Sequence, residues 1–260
     1  MDIQRLAVLS FSPTGNTQKT LSLFAQAFAL PAQEIDLLPY AQREQCHTFP
    51  PDTLVLLGIP VYSGRVPPPA AEHIQHLKGE QTPIVLVAVY GNRDYDDALL
   101  ELRHLTEQNG FVPVAAIASI AEHSVFRAVA KGRPDAQDAA QLSAFAKQIL
   151  EKLARIAQPE DGKAFEVKGN LPYREYQRIP LKPHTTKACT RCGVCAENCP
   201  VGAIPKESPE QTDSERCISC MRCISVCPFA ARGLNRLMHT AARPAFEAKC
   251  RIRKEAEIFL

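Results

Sequence analysis

Eight of the ten cysteines stand in two runs, Cys189-x2-Cys192-x2-Cys195-x3-Cys199-Pro200 and Cys217-x2-Cys220-x2-Cys223-x3-Cys227-Pro228. The second run repeats the first 28 residues further on. Three thiolates within seven residues let one tight loop aim all three at a single face of an iron–sulfur cubane. The fourth lies beyond that loop and is followed by a proline that ends local backbone pairing. In two-cluster chains with this spacing the fourth cysteine serves the other run's cluster. The spacing therefore assigns one [4Fe–4S] cluster to Cys189, Cys192, Cys195 and Cys227, and a second to Cys217, Cys220, Cys223 and Cys199.

Zinc and disulfides are the competing uses of cysteine. Zinc is satisfied by two Cys-x-x-Cys pairs, which leaves the third cysteine and the repeated Cys-Pro without a reason. Disulfides need an oxidising compartment, and the opening Met1-Asp2-Ile3-Gln4-Arg5 carries no basic-then-apolar signal segment. The expected location is cytoplasmic. The run itself is the bacterial ferredoxin spacing. Cys46 and Cys250 stand outside both runs and are given no role.

A chain of 260 residues suits a main domain plus a small one. No apolar run reaches the roughly 18 residues of a spanning helix. Charge is unevenly spread. Met1–Asn170 holds 15 Lys and Arg against 19 Asp and Glu, a net −4. Leu171–Leu260 holds 15 against 9, a net +6. A basic small domain beside an acidic large one suits docking between them or capture of an acidic redox partner protein. Nucleic acid is not expected, because the basic residues form no motif with interleaved aromatics.

Short apolar runs separated by helical periods must position this chemistry. Arg5–Phe11 reads as a buried parallel strand, Gln33–Leu38 as a second, shorter one, and Thr53–Ile59, Pro83–Tyr90 and Phe111–Ile120 as three more. Helices are expected where Leu21, Phe24, Ala25 and Phe28 recur with helical spacing up to Pro31, over Ala70–Lys78 and Asp97–Gln108, and over a long closing stretch, Asp135–Ala157. Strands alternating with helices indicate an α/β domain with a five-stranded parallel sheet, whose ligands bind outside the strands' carboxyl ends. The first strand ends at Ser12-Pro13-Thr14-Gly15-Asn16-Thr17, with a helix following. A helix N-terminus with flanking hydroxyls cradles an anion. The loop has no lysine and one glycine, so it is neither a nucleoside-triphosphate loop nor a dinucleotide fingerprint. It suits a lone phosphate monoester such as the end of FMN.

At this point the chain resembles a known family. Residues 1 to about 157 are similar to flavodoxins, and Ser12, Thr14, Gly15, Asn16 and Thr17 match that family's phosphate loop. The resemblance implies the flavodoxin-like strand order 2-1-3-4-5. It also implies that Pro60, Val61, Tyr62, Ser63 and Gly64 lay an aromatic ring on one face of the flavin. Tyr90, Gly91, Asn92 and Tyr95 would form the loop whose Tyr95 covers the other face. Joined to the cysteine runs, the whole length resembles the flavodoxin–ferredoxin fusion proteins of the EFR1-type ferrodoxin family, marked also by Tyr90–Asp97 and Glu122–Ser124.

The expected division is 1–168 for FMN, 169–187 as a linker packed along the surface, and 188–260 as a small α+β two-cluster ferredoxin domain with a tail. Leu234, Leu237, Met238, Ile258 and Phe259 should pack on one of the two domains. The expected function is electron transfer, in which FMN exchanges electrons singly or in pairs and each cluster passes one. The first alternative is a flavin-dependent reductase fed by the clusters, with His123, Ser124, Arg65 and Arg93 as candidate substrate contacts. The second is a redox sensor. Oligomeric state has no sequence signal.

Overall fold

The computed structural model describes residues 1–260, the side chains of Pro159 and Glu160 excepted. The strands are β1 (Arg5–Ser10), β2 (Ala32–Asp36), β3 (His47–Phe49), β4 (Thr53–Pro60), β5 (Leu77–Gly79), β6 (Thr82–Tyr90), β7 (Phe111–Ile120), β8 (His184–Thr185), β9 (Arg232–Gly233) and β10 (Glu257–Phe259). The helices are α1 (Asn16–Ala25), α2 (Pro68–Ile74), α3 (Ala98–Glu107), α4 (Ala136–Arg155), α5 (Val194–Glu197), α6 (Arg222–Ser225) and α7 (Arg236–Lys249).

The main sheet runs β2-β1-β4-β6-β7-β10. Its first five strands are parallel and stand in the flavodoxin-like order expected from the sequence. Every residue of β6 and β7 is buried, as a parallel strand covered on both faces requires. Leu21 and Phe24 of α1 and Leu142, Ala146 and Ile149 of α4 fill one face. Ile74 of α2 with Leu99 and Leu102 of α3 fill the other. The second helix ends at Ile74 rather than Lys78, because Leu77–Gly79 pairs in parallel with β3 as a small separate ladder. Helix α4 starts at a capping box, Asp135 accepting from the Asp138 amide while Asp138 accepts from that of Asp135.

The sixth strand corrects the expectation of five. The chain's last segment leaves the cysteine region and returns to the large sheet, where Ile258 pairs antiparallel with Ile117. This settles which domain Ile258 and Phe259 pack against. Leu237, by contrast, is largely exposed on α7, and Met238 is about half exposed. The cysteine segment has a small core of Ala196, Ala203, Ile204 and its own thiols. A two-residue ladder, Thr185 opposite Arg232, ties the end of the linker to the chain beyond the second run.

Candidate functional site

The loop after β1 turns at Gly15, whose φ of 86° lies in the left-handed region that glycine adopts without steric cost. Ser12 Oγ accepts from the Gln18 amide at 3.0 Å, bracing the start of α1. Asn16 Nδ2 donates to the Glu122 carbonyl at 2.8 Å and joins this loop to the one after β7. The amides of Thr14, Asn16 and Thr17 have no acceptor among the described residues. They are the free donors of a helix start. Thr14, Asn16 and Thr17 line a cavity of about 590 Å3 at the carboxyl ends of the parallel strands. Ser12 and Gly15 shape the turn behind them.

Pro60, Val61, Tyr62, Ser63 and Gly64 line the same cavity after β4, and Tyr90 and Gly91 line it at the end of β6. Two expected members lie elsewhere. Tyr95 is 2% exposed in the core, its hydroxyl donating to Glu257 of β10 at 3.0 Å and its ring edge-on to Tyr90 at 5.4 Å. Asn92 is buried as well, donating to the carbonyls of Cys250 and Ile252 and accepting from the Lys254 amide. Both hold the returning tail. Neither forms the cavity wall, where Arg93 and Asp94 stand instead.

His123 and Ser124 line the cavity after β7. A Cβ on Gly91 would meet His123 Cδ2 at 2.4 Å, so the ring lies directly on the end of β6. His123 Nδ1 accepts from the amides of Val125 and Phe126 at 3.1 and 3.0 Å, which places the proton of the neutral ring on Nε2. Burial, reinforced by the charge of Arg93, pushes its pKa down to about 4. At neutral pH this is an uncharged donor.

Arg65 does not line the cavity. Its guanidinium makes two 2.7 Å bonds to Glu101, stacks over Tyr173 and donates to the Arg174 carbonyl. It fastens the segment expected to be a linker. Asp97 fastens the same segment, accepting from the amides of Asn170 and Arg174 at 2.9 and 2.8 Å. Burial favours its neutral form, but those hydrogen bonds outweigh burial and hold the carboxyl below the usual range. Ser63 Oγ donates to the Gln177 carbonyl, and Arg174 pairs with Asp96 at 2.6 Å. The strap then reaches the second cysteine run, where Lys182 Nζ donates to the Cys217 carbonyl at 2.6 Å.

This strap supplies Tyr176 and Leu181 to the cavity wall. Helix α7 supplies Met238 and Phe246, and the loop between Cys217 and Cys220 supplies Ile218 and Ser219. Phe246 stacks on Phe126 at 4.7 Å and meets His123 edge-on at 4.7 Å. Tyr62 lies deep enough that burial raises its pKa well above the ordinary value, with Cys220 and Tyr176 adding to the effect. The first aromatic position of the cavity is thus also the one beside the cysteine loop. Sequence reasoning missed Tyr176, Phe126 and Phe246. A periodicity of 3.6 over Arg236–Lys249 was the one available signal, and Pro244 inside that helix obscures it.

The cysteines ring two small enclosed spaces. One is lined by Cys189, Cys192, Cys195 and Cys227, the other by Cys199, Cys217, Cys220 and Cys223. The second set is wholly buried, whereas Cys192 is exposed and Cys189 and Cys227 are partly so. The amides of Ala203, Ser219 and Ala231 point at the sulfurs of Cys199, Cys217 and Cys227 at 3.2, 3.4 and 3.2 Å. Among the described residues no three such side chains converge closely enough for a single ion. Four thiols spread around a space suit a larger, soft, anionic group. Arg222 borders one space and Arg232 the other, and the Nε of each is buried with no acceptor among the described residues. A sulfide-bearing cluster would accept from such donors, so the residues present fit it.

Residues 188–231 match the family described as the 4Fe-4S dicluster domain. A trichloroethene reductive dehalogenase of Dehalococcoides mccartyi is 29% identical over 113 residues, 35% of this chain and 20% of the relative. The chain therefore spans about a fifth of the curated relative it matches. Among solved structures, an oxidoreductase from Corynebacterium diphtheriae is similar over 60% of this chain and all of its own, with 16% identity and a TM-score of 0.44. A flavodoxin from the domain Archaea is similar over 58% of this chain and 99% of its own, with 11% identity and a TM-score of 0.37. No helix among the described residues is long and apolar enough to cross a membrane.

Proposed function

We propose that the chain is an electron-transfer protein of the EFR1-type flavodoxin–ferredoxin class, holding FMN in the large cavity and two [4Fe–4S] clusters in the cysteine-ringed spaces. The observation that carries this is the shared wall: Ile218 and Ser219, between the ligand candidates Cys217 and Cys220, line the cavity that Thr14, Asn16 and Thr17 also line. Bound there, FMN would supply a two-electron centre beside one-electron centres. Thr14, Thr17 and the free amides of the helix start would hold its phosphate. Tyr62 and Tyr176 would shield the ring from water, and His123 would offer a hydrogen-bond donor without adding charge. The buried set, Cys199, Cys217, Cys220 and Cys223, is the inner cluster. The partly exposed set, Cys189, Cys192, Cys195 and Cys227, is the outer one, reachable by redox partner proteins.

In this reading residues 1–168 bind FMN, 169–187 form the strap, and the region from 188 holds the clusters and sends its last strand back to the sheet. Free thiols destined for iron suit the cytoplasm. The test is anaerobic purification with iron, sulfide and flavin counted per chain. Eight irons and one FMN are expected on the cluster and cavity assignments. Bound zinc without sulfide would refute the cluster reading, and a chain that takes up no FMN when offered it would refute the cavity reading.

The reductase alternative draws on one observation. His123, Arg93, Lys249 and the aromatic pair Phe126 and Phe246 line the same cavity, giving cationic and apolar contacts for a small acceptor. Reoxidation of the reduced protein by one-electron carrier proteins favours the first reading. Reoxidation only by a small organic molecule favours the second.

A further inference from the structure

Arg232 is 4% exposed and lies in β9, between the second cysteine run and the tail helix. Three neutral oxygens fix its guanidinium. Nη1 donates to Thr212 Oγ1 at 2.6 Å, and Nη2 donates to the carbonyls of Gln211, at 3.1 Å, and Pro209. Nε is buried and has no acceptor among the described residues. Glu210 belongs to the turn that grips Arg232, yet its carboxylate pairs with Arg191 at 3.5 Å. No described carboxylate pairs with Arg232 itself. A guanidinium is always charged, and a buried charge without a counter-ion is strongly disfavoured. Among the described residues the guanidinium is thus left with a buried free donor and no salt bridge, although Glu210 Oε2 in the same turn is itself buried without a hydrogen-bond partner.

The surroundings of Arg232 say where a counter-ion belongs. Arg232 borders the space ringed by Cys189, Cys192, Cys195 and Cys227. The stretch from Arg216 to Phe246 holds five arginines and no acidic residue, so nothing in that stretch neutralises it.

On the two-cluster reading above, we propose that Arg232 is a positioning residue serving as the counter-ion of the outer cluster, with Nε its free donor towards it. Each cluster takes up one electron and no proton, so its charge becomes one unit more negative. A fixed buried cation stabilises the more negative state more and makes reduction easier. The effect is larger for the outer cluster, whose space Arg232 borders, and smaller for the inner one. The bland alternative is that Arg232 merely ties down the Pro209–Thr212 turn.

Anaerobic redox titration of the full holo-protein, read by EPR and visible absorbance, separates these. Arg232→Gln removes the charge and leaves a hydrogen-bonding group. It is expected to lower the outer cluster's one-electron reduction equilibrium about tenfold, which is 59 mV, and the inner one's by less. Arg232→Lys keeps the charge and is expected to restore most of that loss. Intact clusters in Arg232→Gln with parental potentials would overturn the proposal, as would a Lys variant shifted as far as the Gln variant. If Arg232→Gln cannot hold iron, Arg232→Lys decides alone: retention of both clusters supports the counter-ion role, and loss of iron there as well overturns it. A parent protein with no cluster signal would instead end the two-cluster reading, and this proposal with it.

Discussion

Asn92 Nδ2 donates at 2.8 Å to the carbonyls of both Cys250 and Ile252, across 158 and 160 residues of chain. Its Oδ1 also accepts from the Lys254 amide at 3.1 Å. One buried side chain at the end of β6 therefore satisfies three backbone groups of the returning tail. The tail in turn places α7 on the cavity wall.

Removing that anchor should loosen the tail before it touches the sheet. Asn92→Ala leaves buried backbone groups unpaired, at about 1–3 kcal/mol for each one that stays dry. Hydrogen exchange over residues 250–259 should speed up strongly while β1 and β4 stay protected. Equal protection of all three segments, before and after substitution, would show that the strand pairing of β10 holds the tail unaided.

The phosphate cradle makes a second prediction. Thr14→Ala and Thr17→Ala each remove a hydroxyl from the loop that presents free amides. Losing one hydrogen bond to a charged group costs about 1.5–3 kcal/mol, roughly a tenfold to hundredfold weaker FMN affinity. Riboflavin has no phosphate, so its weaker binding should not respond. FMN fluorescence titration of both variants measures this, and parental affinity in both would move the phosphate elsewhere.

His123 makes a third prediction. Its folded-state pKa, about 4, lies below the unfolded value, which is roughly 6.5. A depressed histidine contributes full stability above the unfolded value, and that contribution is lost as pH falls from about 6.5 towards the folded pKa. His123→Gln keeps an acceptor for the Val125 and Phe126 amides but cannot titrate. Melting temperature from pH 7 to 5 should therefore fall more steeply for the parent than for the variant. Parallel curves would mean that His123 reaches solvent.

Much of this architecture was legible because burial leaves a plain record. The inner parallel strands are apolar on both faces, as at Val85–Val89, whereas the edge strand β2 is mostly exposed, and the two cysteine sets follow from spacing alone. The remainder depends on groups that sequence does not distinguish. Tyr90 and Tyr95 are both aromatic and close together, yet the turn between them points Tyr95 into the core towards Glu257. The strap is held mostly by backbone amides and carbonyls, at Asn170, Arg174 and Gln177, and every residue has those. Glu257–Phe259 is a three-residue strand, too short to show an alternation.

Ligand crossing makes the fourth prediction. Cys199 is the fourth cysteine of the first run but borders the space ringed by Cys217, Cys220 and Cys223. Cys199→Ala should damage the inner cluster and spare the outer one, once the two are distinguished by potential. Loss confined to the outer cluster would reverse the pairing of runs and spaces.

The last prediction is that electrons pass within one molecule. Among the contacts that hold the strap across the cavity are Asp97 to Arg174, Ser63 to Gln177, and Lys182 to Cys217. The inner cysteine loop shares a wall with the cavity, so no diffusive encounter is needed between the centres. After flash reduction of the clusters, flavin absorbance should change at a rate independent of protein concentration. Salt should slow it little, because buried and tethered contacts are poorly screened. Asp97→Ala removes the carboxylate that gathers Asn170 and Arg174, freeing the strap and Tyr176. It should slow the step and make it depend on salt, while iron and flavin counts stay parental. A parental rate that climbs in proportion to concentration would mean that electrons travel between molecules, and the shared wall would then have no part in the transfer.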